Sequence, residues 1–137
     1  MNMKRLAIGS LVGLVTLYIL GIIIWGNLFA DFFAANAGSA EGVPRETTIL
    51  WAVLVGALLY AVLVTLAIEC RGAKSPVDGL KVGAIVGFLL WGTVDFVFFG
   101  NFNLSTLTGT IADAVLEGVR AGIAGAVIAL VLSKTGD

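Results

Sequence analysis

Asp113, Glu117 and Arg120 fall at i, i+4 and i+7 in the segment "ADAVLEGVR". On a helix of 3.6 residues per turn that spacing puts all three on one face. A fourth ionisable residue, Asp95, sits in "WGTVDFVFFG". A surface stripe of this kind would be an ordinary solvated ion pair. Here the surroundings are apolar on both sides, so the four groups must find partners away from water. Arg120 can pair with Glu117 one turn away, and its planar fork can accept a second carboxylate. With Asp95, Asp113 and Glu117 set against Arg120, negative charge is in excess. Either one or two of the carboxyls keep their protons, or a cation sits among them.

The cost of burying such groups makes the question sharp. An aspartate, lysine or arginine at the centre of a membrane helix costs roughly 2.5–3.5 kcal/mol. Four of them facing lipid would cost about as much as the whole stability of a domain. Two expectations follow. In one, the stripe is a salt-bridge network that fixes helix pairing, within the chain or with another subunit. In the other, the surplus carboxylates bind a proton, an ion or a cationic substrate, with Asp95, Asp113 and Glu117 as the site and Arg120 as internal counter-ion. Asn101 and Asn103, together with Asp31 at the end of the first apolar stretch, are the expected rim.

The elements that must hold these residues are read from the apolar runs. The chain has 137 residues, 59% of them hydrophobic and 12% charged, against about 25% charged in a soluble domain. A membrane-spanning helix needs roughly 20 mostly apolar residues, and four stretches meet that: 6–29, 48–68, 80–99 and 105–132. The first is too long for the apolar core of a signal peptide and reads as a membrane anchor. The expected fold is an all-α integral membrane protein, one domain over 1–137 forming a four-transmembrane-helix bundle. Lys4 and Arg5 precede span one, Arg71, Lys74 and Lys81 lie between spans two and three, and Lys134 follows span four. The positive-inside rule then predicts that the N- and C-termini are both cytoplasmic. The short turn "GNFNLS" makes spans three and four antiparallel neighbours, which brings Asp95 within reach of Asp113.

Small residues supply the packing signal. Gly83 and Gly87 on span three and Gly118 and Gly122 on span four have the GxxxG spacing that lets helices approach closely. The seam could serve the bundle itself or a homo-oligomer. Membrane lipids are the expected surroundings, and so small a chain is expected to work as a homo-oligomer or as a subunit of a larger membrane complex. Other classes are disfavoured. The net charge is −1 with no basic cluster, so no nucleic acid is expected. Histidine is absent and Cys70 is the single cysteine, so neither metal nor cofactor is expected. No nucleophile lies beside a base and no phosphate-cradling loop is present, so an enzyme is not expected either.

Trp25 and Gly26 late in span one, "GTVD" (Gly92 to Asp95) in span three and Asp113 early in span four carry a resemblance. The chain resembles an uncharacterised family of small bacterial four-helix inner-membrane proteins, a domain of unknown function with Gly-Thr-x-Asp in helix three and an aspartate in helix four. The resemblance spans most of the chain. It implies a four-helix bundle, multi-pass in a bacterial inner (plasma) membrane, and implies no substrate. The chain departs from the pattern at Ile22, where an acid is usual, and at Leu116 and Glu117, where tryptophan-glycine is usual. Its architecture is also similar to that of the small multidrug-resistance exporters. Their essential glutamate lies in the first helix, and span one here has no acid in its core.

Overall fold

The computed structural model describes residues 2–135. It is helical over 81% of the chain, with no strand among the described residues. Helix α1 covers Met3–Ile23 and continues as a π-helical turn over Ile24–Leu28. A short helix α2 follows at Ala30–Ala35. Helices α3 (Leu50–Arg71), α4 (Pro76–Asn101) and α5 (Leu107–Lys134) complete the chain. The run Met3–Leu28 and the helices α3, α4 and α5 are each long and apolar enough to cross a membrane, the mark of a multi-pass membrane protein. They coincide with the four apolar stretches predicted from sequence.

Local chemistry sets the helix ends. The Asn2 side chain accepts from the Lys4 and Arg5 amides, Ser75 accepts from Asp78 with Pro76 opening α4, and Thr106 accepts from Gly109 at the start of α5. Each satisfies amides that a helix leaves unpaired in its first turn. Helix α3 stops at Gly72, whose φ of 63° is the left-handed conformation that glycine adopts without strain.

Helix α5 occupies the middle of the bundle. Its most apolar stretch is 50% buried, against 11% for α4, which lies at the edge. The core joins Leu17 of α1, Ala61, Val64 and Ile68 of α3 and Ala124 and Ile128 of α5, all fully buried. Large residues such as Val15, Leu59, Ile85 and Val119 point outward and remain exposed. This inversion of the usual exposed surface is what a hydrocarbon surrounding requires. Helices α4 and α5 meet along a glycine seam. A Cβ on Gly79 would overlap the Gly125 carbonyl, and one on Gly83 would overlap the Ala121 carbonyl. Gly87 presses on Ala121 and the Glu117 carbonyl. Gly118 and Gly122 leave more room, on the flank of the seam: a Cβ there would lie 3.3 Å from Phe88 Cβ and Ala84 Cβ in turn.

The two ends of the bundle are tied differently. At one end Arg5 reaches Glu69 at 2.8 Å and donates to the Leu132 and Thr135 carbonyls at 3.0 and 2.9 Å. One side chain thus ties the start of α1 to the ends of α3 and α5. At the opposite end, the chain after α2 docks on the α4–α5 turn. The Thr106 amide donates to the Asn36 carbonyl, the Gly38 amide to Leu104 and the Ala40 amide to Asn103, at 2.9, 3.1 and 3.0 Å. Gly38 lies so close to the Asn103 carbonyl that no side chain would fit there.

Candidate functional site

The four ionisable residues, Glu117 buried and the other three half-buried, occupy the half of the bundle away from Arg5, at two depths. Asp95 of α4 and Asp113 of α5 face each other across the antiparallel pair. Together they line a cavity of about 280 Å³, whose other walls include Phe33, Asn36, Phe98 and Thr110. The cavity exists because α2 and the segment after it fold back over the α4–α5 turn. Asn36 holds that lid segment in place, donating to Phe32 at 2.9 Å and accepting from the Thr106 hydroxyl at 2.9 Å.

Trp25 reaches Asp113 from the end of α1. Its indole N–H donates to Asp113 Oδ1 at 2.6 Å. The π-turn makes this reach possible: the Phe29 amide bonds to the Ile24 carbonyl at 2.8 Å, which widens the helix around Trp25 and Gly26. Such turns recur at functional positions in helices. The Trp25 ring stacks on Phe33 with centroids 6.3 Å apart.

One turn deeper on α5, Glu117 is only 4% exposed. Its Oε1 accepts from Arg120 Nη1 at 2.8 Å. Arg120 also donates through Nε and Nη2 to the Leu17 carbonyl at 2.9 and 2.7 Å. That carbonyl belongs to the interior of α1, so the guanidinium is held between two helices. Its central carbon lies 5.4 Å from the Trp25 ring centroid and 5.9 Å from that of Tyr60, a placement in which aromatic faces stabilise a cation. Gly21 makes room for it, because a Cβ there would lie 2.9 Å from Arg120 Nη2.

The expected three-carboxylate site is therefore divided. Asp95 and Asp113 share the cavity, while Glu117 stands below them as the partner of Arg120. Among the described residues no three acidic or cysteine side chains converge as a metal site. The Tyr60 hydroxyl approaches Glu117 from α3, and the Asp95 carboxyl approaches Asp113 from α4. Tyr60 and Trp91 meet edge to face with centroids 6.3 Å apart.

The expected rim lies elsewhere. Asp31, Asn101 and Asn103 are exposed and do not line the cavity. Asn101 comes six residues after Asp95, which on a helix is far off its face, and its amide turns back to the Val97 carbonyl at 2.8 Å. Asn103 gives its backbone carbonyl to the lid segment instead. Asn36, Ser105 and Thr110 are polar residues that line the cavity beside the two aspartates. Trp25, Tyr60, Gly21 and the Leu17 carbonyl are further members of the site that spacing did not single out.

No protein-family model, no curated protein and no solved structure matches the chain.

Proposed function

We propose that the chain is a small proton- or cation-coupled transporter of a bacterial inner membrane, with both termini cytoplasmic and the Asp95 cavity facing outward. The Asp95–Asp113 pair is the observation that carries this reading. Two carboxyls face each other at the floor of a cavity while the nearby arginine is engaged by Glu117 and the Leu17 carbonyl. The pair accepts one positive charge more readily than it tolerates two negative ones. The aromatic walls at Phe33 and Phe98 suit an organic cation as well as a proton.

Reconstitution tests it. The purified protein in liposomes should carry a proton or cation flux that D95N and D113N each reduce at least tenfold. Flux equal to wild type in both variants would overturn the reading.

A second reading is a non-catalytic accessory subunit of a larger membrane complex. What favours it is a shallow groove of about 460 Å³ over Gly118 and Gly122, walled by Ala84, Phe88 and Val119 and shaped to take a partner helix. Purification in mild detergent separates the two. Stoichiometric foreign subunits support the accessory role, and a clean homo-oligomer supports the transporter.

A further inference from the structure

At the Arg5 end, the turn from α3 into α4 frames a cleft of about 790 Å³ that the acidic site does not use. Its wall is apolar, made by Ala67 of α3 and by Val82 and Ile85 of α4. Its mouth carries Arg71, the last residue of α3, and Lys81, in the second turn of α4. Both are exposed, and among the described residues neither makes an ion pair. Asp78 also lines the mouth, but the Ser75 hydroxyl donates to its Oδ2 at 2.7 Å. The mouth is net positive and the wall below it runs into the membrane-facing surface, where Ile85 is 60% exposed.

Two adjacent features of a ligand are thereby specified. The unpaired guanidinium and ammonium at a helix boundary suit a phosphate, and the apolar wall suits a hydrocarbon chain leading from it. Basic pockets between spanning helices at the membrane boundary are where anionic lipid headgroups are held. A zwitterionic lipid offers the same phosphate but no net charge to match the mouth. A free phosphate matches the mouth but leaves the wall without a partner.

We propose that this cleft binds one anionic phospholipid, with its phosphate between Arg71 and Lys81 and one acyl chain along Ala67, Val82 and Ile85. The site is independent of the transporter reading and stands whether or not Asp95 and Asp113 move a cation.

Native mass spectrometry of the purified full chain, titrated with phosphatidylglycerol, tests it. Wild type should retain one lipid in preference to phosphatidylcholine. R71Q/K81Q should bind it about 25-fold more weakly, at about fivefold for each basic residue near an anionic headgroup. Lys74 lies outside the cleft lining, so K74Q should bind as wild type does, and D78N should bind more tightly. All these positions are exposed, so the variants should keep the wild-type melting profile. Equal retention of phosphatidylcholine, or unchanged binding in R71Q/K81Q and in each single variant, would overturn the proposal. Displacement of the lipid by an equal concentration of inorganic phosphate would overturn the lipid assignment and make the mouth a soluble-phosphate site.

Discussion

The Trp25 indole donates to Asp113 across 88 positions of sequence, at 2.6 Å. It joins the widened end of α1 to the first turns of α5 and fixes one of the two carboxyls that line the cavity. Trp25→Phe keeps an aromatic ring at this position while removing the N–H and part of the indole's area. A hydrogen bond to a charged acceptor contributes about 1.5–3 kcal/mol in water-soluble proteins, whereas pairs between membrane helices average about 0.6 kcal/mol. The membrane figure governs here, so W25F should lose about 1 kcal/mol in detergent unfolding. W25A, which also removes the ring from Arg120 and Phe33, should lose more than twice that. Equal losses would mean that the hydrogen bond, rather than the ring, accounts for the whole effect.

Gly21 and Gly26 lie within six residues of each other and should respond differently to alanine. At Gly21 the new methyl would press on Arg120 Nη2, while at Gly26 the nearest atom is 3.9 Å away. G21A should displace the guanidinium from the Leu17 carbonyl and lower stability by about 1–3 kcal/mol, the usual range for overpacking. G26A should stay within about 0.5 kcal/mol of wild type. Melting temperatures of the two variants in one detergent decide the matter.

Arg120 and Glu117 should show strong coupling in a double-mutant cycle. R120Q leaves Glu117 buried without its partner, at a cost of about 3–5 kcal/mol. E117Q should cost less, because Arg120 keeps the Leu17 carbonyl and two aromatic faces. The double variant E117Q/R120Q should be more stable than R120Q alone, since no unpaired charge remains. Additive losses would show that the two side chains act separately.

Along the α4–α5 seam, alanine substitutions should separate into two groups. G79A and G83A drive a methyl into a backbone carbonyl that cannot yield, so α4 must move away from α5. Each should cost about 1–3 kcal/mol. G118A and G122A meet neighbours at 3.3 Å, Phe88 Cβ and Ala84 Cβ in turn. They should cost under about 1 kcal/mol, as read from chemical unfolding in mixed micelles.

The separation of the glycines also marks what sequence alone could say. The GxxxG spacing of Gly83 with Gly87 and of Gly118 with Gly122 is visible in the chain. Which pair holds the closest approach depends on how far α4 is rotated against α5, and spacing does not encode that. The four spans were legible for a simpler reason: hydrocarbon demands long apolar runs, although the helix ends, set by Asn2, Gly72, Ser75 and Thr106, fall a few residues from the bounds the runs suggest. The common face of Asp113, Glu117 and Arg120 was equally legible, because it follows from one helix period. The second partner of Arg120 was not, since the Leu17 carbonyl is backbone and carries no mark in the sequence. Asn101 and Asn103 are exposed and do not line the cavity. Asn36, far away in sequence, occupies the place instead.

The grip of the Leu17 carbonyl on Arg120 also bears on how the chain is made. Ribosomes deliver α1 first and α5 last, so the helix carrying the costly charge enters the membrane when its acceptor is already there. Before α5 arrives, the Leu17 end of α1 has no guanidinium to hold. Without α1, Arg120 would lose the Leu17 carbonyl and keep only Glu117 and the Tyr60 ring. The earliest helix therefore carries the acceptor that the latest one needs. Split expression follows from this: residues 107–135 produced separately should be inserted stably only in cells that also make residues 2–101.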